Sequence, residues 1–247
     1  MRKAHHIISA KRRKDERRKD LVSIILLSEN HGYRMKSYGP ISLVKVNDKT
    51  LLEHQIDAIQ AAFVNFEVIL CAGFETNKIY NFVKKTYGPS CRIRIVENQV
   101  YYHSNCCESI RLCMNNVMTE KIVVCGGGVL LTPNYLQNLD LKKSSLLYQE
   151  AQKNSNFEVG VIGQGKGLES LSLAVKDKSW TEILFLSGEK NIQSFYNVVS
   201  KPEFKTKFFF EAINSWGHRK NLVAKKNESD LIVKINNLKT LKRINEE

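Results

Sequence analysis

VSIILLSENHGYRMKSYGPISLVKVNDKTLLEHQIDAI, residues 22–59, carries both periodicities of an α/β fold in one stretch. VSIILL (22–27) is a short β-branched run that stops at polar residues, the pattern of a strand buried on both faces. After a loop containing Gly32, Gly39 and Pro40, apolar side chains return at Leu51, Leu52, Ile56, Ile59 and Phe63. That spacing predicts a helix over 50–63.

Working outward, the alternation repeats. EVILC (67–71) reads as a strand, 78–87 as a helix, 91–96 as a strand, and 104–117 as a helix capped by Ser104. KIVVC (121–125) is the next strand and ends in Gly126-Gly127-Gly128. Strand–helix order of this kind predicts an α/β fold, a mostly parallel mixed sheet flanked by helices, with right-handed crossovers. Beyond residue 140 the order is less regular. Residues 170–175 and 181–186 read as a hairpin-like pair, 191–199 and 206–215 as helices, 222–224 and 231–235 as late strands, and 238–244 as a last helix. No linker composition or internal repeat interrupts the chain, so residues 21–247 read as one domain behind a basic N-terminal arm, residues 1–20.

At 247 residues, 43% hydrophobic and 26% charged, the composition is that of a globular protein with a large core. No apolar run reaches membrane-spanning length, and no signal-peptide stretch precedes the basic cluster, so the expected location is cytoplasmic or virion-associated and not secreted. Cys71, Cys91, Cys106, Cys107, Cys113 and Cys125 lack the spacing of a zinc site or disulfide framework and are expected to be reduced, mostly buried thiols. The net charge of +13 is uneven: residues 1–20 hold nine Lys/Arg against three Asp/Glu. Lys11, Arg12, Arg13, Lys14, Arg17, Arg18 and Lys19 suit contact with an anionic partner, either nucleic acid or an acidic protein surface; the alternative is a solvated charged tail.

The ordered motifs resemble the sugar- and choline-phosphate nucleotidyltransferases, over roughly residues 22–245. Members open with a strand, a loop of the form L-A-A-G-x-G-x-R-M, a T-P-K-P-L-L-x-V segment and a G-K-P-L-L-E-H-x-I helix. Gly32, Arg34, Met35, Pro40, Leu43, Val46, Lys49, Leu51, Leu52, Glu53, His54 and Ile56 fall in register with them. CAGFETNKIYNFV (71–83) resembles V-x-G-Y-x-x-E-x-I. NQVYYHSNCCESIRLCMNN (98–116) resembles the N-P-x-Y-x-x-T-N-x-x-x-S-L of the choline-phosphate branch. KFFFEAINSW (207–216) and IVKINNLKTLKRI (232–244) stand in the places of the late helix and the I-D-T-P-E-D-L closing motif. The resemblance implies a Rossmann-like nucleotidyltransferase fold.

It also implies what the chemistry needs. An acceptor phosphate attacks the α-phosphorus of a nucleoside triphosphate and pyrophosphate leaves, with magnesium held by the aspartates of a strand-end G-D and of the late I-D-T. A lysine and the N–H groups of the Gly loop stabilise the phosphates. This chain departs at each place. Gly128 stands at the first aspartate, Asn236 at the second, and Ile41 at the lysine. Ser28, Glu29 and Asn30 replace A-A-G, and Glu29 is expected to place a carboxylate where a triphosphate would lie.

Gly32, Arg34 and Asn105 keep the places of a nucleotide-binding site, and Arg34 is either a phosphate contact or a structural ion-pair partner. Ser104 and Asn105 are expected to cap a helix, and Glu53 to favour a helix dipole. Glu228 and Asp230 lie where a substitute metal ligand would have to come from. Phe208, Phe209, Phe210 and Trp216 read as core and helix packing. The leading expectation is a catalytically degenerate, non-enzymatic binding or structural component of a larger assembly, such as a viral particle or nucleic-acid complex, without cofactor or metal. The alternative is a divergent active enzyme, using Mg2+ and a nucleoside triphosphate to move a nucleoside monophosphate onto a sugar phosphate or phosphocholine-like acceptor. A glycosyltransferase-like relative is disfavoured because no D-x-D motif occurs. Under the degenerate reading, Gly128→Asp with Asn236→Asp should fold and restore weak metal binding.

Overall fold

The structure, a computed structural model, describes residues 20–88, 91–117, 119–137, 139–151, 158–163, 167–173, 175, 177–217, 222–227 and 232–246. The seven arm cations, Glu228 and Asp230 lie outside the described residues.

β1 (Val22–Ser28) is buried along its whole length, as its unbroken apolar run requires of a central strand. A loop carrying two 3-10 turns and the short hairpin β2 (Lys45–Val46) and β3 (Lys49–Thr50) leads to α1 (Leu51–Ala62). A capping box starts that helix: Thr50 Oγ1 accepts from the Glu53 N–H at 3.2 Å, and the Glu53 carboxylate accepts from the Thr50 N–H at 2.7 Å. Glu53 therefore serves the helix start, as expected.

The chain continues through β4 (Phe66–Ala72), α2 (Thr76–Thr86), β5 (Ile93–Glu97), α3 (Cys106–Met114), β6 (Lys121–Gly126), β7 (Val129–Leu130) and the short α4 (Asn134–Gln137). The second half holds β8 (Ser145–Glu150), β9 (Gly160–Ile162), β10 (Ser170–Ser172), β11 (Lys178–Ser187), α5 (Glu189–Val199), α6 (Phe209–Gly217), β12 (Val223–Lys226), β13 (Val233–Lys234) and α7 (Leu238–Glu246). The main sheet runs β10-β9-β11-β6-β1-β4-β5, with β8 on β11 and β12 on β8. β6, β1, β4 and β5 are parallel, and β11 runs antiparallel against β6. This is the mostly parallel mixed sheet expected from the strand–helix order.

Alternation along each strand builds two cores. Ile25, Leu27, Val124 and Leu184 face α3, α5 and α6, meeting Ile110, Phe195, Ile213 and Trp216. Ile24, Leu26, Val123 and Phe185 face α1, α2 and α4, meeting Ile56, Ile59, Ile79 and Leu136. A third, smaller cluster joins Met35, Ile41, Val44, Val46 and Leu51 to Ile235 and Leu241. Phe209 and Trp216 are core residues, while Phe208 is 54% exposed. No helix among the described residues is long and apolar enough to cross a membrane.

Two local expectations are corrected, and the last strand, β13, is placed with β7 in a separate two-stranded sheet. Residues 170–175 and 181–186 are not a hairpin pair, because β9 lies between β10 and β11 and pairs with both. Asn105, and not Ser104, caps α3, its Oδ1 accepting from the Cys106 N–H at 2.8 Å. Ser104 is occupied elsewhere, accepting from Asn98 Nδ2 at 3.0 Å and donating to the Val100 carbonyl at 2.9 Å.

Candidate functional site

The chain leaves β1 for β4 on one side and reaches β6 on the other, so the carboxyl ends of β1 and β6 open a switch-point crevice of the kind where α/β sheets bind ligands. Three of the departing positions and the retained Gly32 meet there. The Tyr33 N–H donates to the Asn236 carbonyl at 2.7 Å, and the Ile235 N–H donates to the Gly128 carbonyl at 2.7 Å. A Cβ on Gly32 would stand 3.2 Å from the Asn236 carbonyl oxygen and 3.3 Å from Ile41 Cδ1. Ile41 is 6% exposed and packs with Met35 and Ile235.

These positions do not fit a metal. Gly128 offers no side chain, and a Cβ there would lie 2.7 Å from the Ile235 carbonyl oxygen. The Asn236 Oδ1 accepts from Asn237 Nδ2 at 2.6 Å, so the amide is turned to its neighbour. Ile41 brings no charge. Among the described residues, no group of three or more His, Cys, Asp or Glu side chains is placed to hold a metal ion.

The other two retained residues stand differently. Arg34 is exposed, takes a left-handed φ of 58°, and lies with its guanidinium 5.1 Å from the Tyr33 ring centroid. It forms no ion pair among the described residues. Asn105 caps α3, and its own N–H donates to the Lys205 carbonyl at 2.9 Å.

Glu29 departs from its expected placement at a phosphate. It continues the alternation of Ile25 and Leu27, so its side chain turns in toward the α3 face instead of projecting at a phosphate; it is 3% exposed. Asn98 Nδ2 donates to Ser109 Oγ at 3.0 Å, on the side of α3 that the Glu29 carboxyl faces. Glu29 Oε2 has no partner. Burial pushes its pKa above the ordinary 4.5, outweighing its own backbone N–H and Ser109, which pull it down. An acid with a raised folded pKa contributes stability that is present below its unfolded value and lost as pH rises through the folded one. The melting temperature of Glu29→Gln should therefore gain on the native chain as pH rises above 4.5. Parallel pH series of thermal unfolding check this; a difference that does not change with pH would show that Glu29 carries no such linkage.

Sequence reasoning missed Glu182. It sits in the bulge of β11 between Trp180 and Leu184, with a left-handed φ of 63°, and its carboxylate occupies the space that a side chain on Gly126 would need. The available signal was a lone carboxylate inside the buried run TEILFL (181–186). The cysteines are all free thiols, as expected, and Cys71, Cys107, Cys113 and Cys125 are buried. Burial pushes Cys107 up to about 12 and Cys106 well above its ordinary value, so neither supplies a thiolate nucleophile near neutral pH.

Topology and crevice together define a nucleotidyltransferase-like α/β fold. Solved structures agree: the chain is similar to the CTP:phosphocholine cytidylyltransferase of Streptococcus pneumoniae at 18% identity, with a TM-score of 0.77 over 91% of this chain and 98% of that one. It is likewise similar to the inositol-1-phosphate CTP transferase of T. maritima (13% identity, TM-score 0.72, 93% and 98% covered). A UDP-glucose pyrophosphorylase complexed with UDP-glucose follows at 10% identity and a TM-score of 0.73, with 92% and 97% covered. No protein-family model and no curated protein sequence matches the chain.

Proposed function

We propose that this chain is a catalytically degenerate nucleotidyltransferase-like protein, acting as a non-enzymatic binding or structural component of a larger cytoplasmic or virion-associated assembly. One observation carries the reading. Gly32, Ile41, Gly128 and Asn236 converge on a single point of the crevice, and what they bring there is a packed apolar side chain and backbone carbonyls, with no carboxylate or amine. Nucleotidyl transfer brings an anionic nucleophile onto an anionic phosphorus, so it depends on positive charge at that point. Loss of one such stabiliser costs on the order of a hundredfold to a thousandfold in rate. Loss of two carboxylate ligands and a lysine compounds this, though not additively. The basic arm is the proposed contact with an anionic partner.

Pyrophosphate release tests the reading, with each nucleoside triphosphate, magnesium, and either phosphocholine or a sugar phosphate as acceptor. The expected rate is that of the protein-free control. Magnesium should also leave nucleotide affinity unchanged in calorimetric titration. A magnesium-dependent affinity in about the micromolar range, or measurable turnover, would restore the active-enzyme alternative.

A further inference from the structure

Beyond the first twenty residues, the positive charge is concentrated. Residues 30–50 and 232–246 hold eight Lys/Arg against two Asp/Glu, whereas the rest of the chain from residue 21 onward holds 21 against 20. The fold brings these two distant segments into one module. Tyr33 bridges Asn237 in parallel, the Asn47 N–H donates to Asn245 Oδ1 at 2.9 Å, and both segments supply the third apolar cluster. Leu238, Leu241 and Ile244 turn inward to that cluster, which leaves Lys239, Lys242 and Arg243 on the outer face of α7. Arg34 and Lys36 follow the Tyr33 bridge at one end of the helix, and Lys45 lies on β2 near the other.

All six cations are exposed, and none forms an ion pair among the described residues. The module's other cations are engaged: Lys49 pairs with Asp57 at 2.6 Å, and Lys234 donates to the Trp180 carbonyl at 3.1 Å. Its two carboxylates, Asp48 and Glu246, are exposed and in no ion pair among the described residues. Tyr33, beside Arg34 at the Asn237 end of α7, is 67% exposed, and Tyr38, in the same loop, is 48% exposed.

We propose that this face of the folded body binds single-stranded nucleic acid, the six cations contacting phosphates and the Tyr33 ring stacking on a base. Clustered, unneutralised Lys/Arg is the electrostatic footprint of a polyanion site. The exposed rings favour nucleic acid over an acidic protein surface, because every base has a π face to stack. This deepens the proposed function, rests on its binding half, and adds a site distinct from the arm.

The test uses the full chain and a labelled oligothymidylate of about fifteen nucleotides, titrated between about 50 and 200 mM salt. Combined Lys239→Gln, Lys242→Gln and Arg243→Gln should reduce the slope of log affinity against log salt by about 2, at roughly 0.7 per phosphate contact on a single strand. Tyr33→Ala should weaken binding about tenfold and leave the slope unchanged. Both decrements should persist in a full-length chain whose seven arm cations are glutamine. Native-like binding by the triple variant at every salt would overturn the proposal. So would an unaffected Tyr33→Ala together with equal competition by a polyglutamate peptide, which would assign the face to an acidic protein. Pyrophosphate release from the same samples reports separately: turnover would sink the proposed function, whereas silent variants without turnover would sink only this inference.

Discussion

Gly128→Asp is expected to destabilise the protein by about 2 to 3 kcal/mol, the range of a forced backbone shift with an added, poorly solvated charge. The cause is specific. The space of a Cβ at Gly128 lies 2.7 Å from the Ile235 carbonyl oxygen, a backbone atom that cannot rotate away. Relief would require movement of the β7–β13 pair, which holds the Ile235 N–H on the Gly128 carbonyl at 2.7 Å. Asn236→Asp is the contrasting case, since the residue is exposed and a carboxylate still accepts from Asn237 Nδ2. It should change stability by less than about 0.5 kcal/mol. Denaturant midpoints of the two single variants and the double variant check this. The double variant should still fold, at the reduced stability set by Gly128→Asp. A double variant of native stability that binds magnesium would show that the Ile235 contact yields easily, and the degenerate-site argument would lose its footing.

Deleting residues 1–20 is expected to have the largest effect on binding. If the arm neutralises about six phosphates of duplex DNA, it contributes roughly −5 to the slope of log affinity against log salt. Affinity of the native chain should then fall about a thousandfold between about 50 and 200 mM salt, and that of the truncated chain far less, leaving only what the α7 module supplies. Thermal stability should hardly change. Val22 begins the buried core, and the described contact of the deleted segment is Asp20 with Lys121 at 3.9 Å, where the Asp20 side chain is 84% exposed. A melting temperature lowered by many degrees would mean that the arm packs on its own fold or in an oligomer, and its role as the electrostatic contact would have to be dropped.

The local elements were the most legible part of the chain. VSIILL became β1 with one residue added, and the period of Leu51, Leu52, Ile56 and Ile59 became α1 with its capping box. Both depend on neighbours within a few positions, which the chain displays directly. The region after residue 140 was less legible. SLLYQE (145–150) is β8, packed between β11 and β12, yet its alternation is short and interrupted, and it went unread. The partner of β11 was misassigned because a strand's period reveals its faces and not its neighbours. In the candidate site, the absence of charge at Ile41, Gly128 and Asn236 is legible once the motifs are in register. Glu182 was visible only as an isolated carboxylate in an apolar strand.

The sequence by itself determined that the uncharged residues Ile41, Gly128 and Asn236 stand at ordered motif positions, because residue identity and spacing suffice for that. Tertiary structure alone decided where the side chains go. The pleat of β1 turns Glu29 into the α3 face, and the approach of Ile235 closes the space beside Gly128. It also decided the charge pattern. Arg34, Lys36 and Lys45 lie in one segment, and Lys239, Lys242 and Arg243 in another far along the chain, so nothing local marks them as one surface. They belong to one module because burial of Ile41, Val44, Ile235 and Leu241 in one small core draws the two segments together and leaves the charged residues exposed.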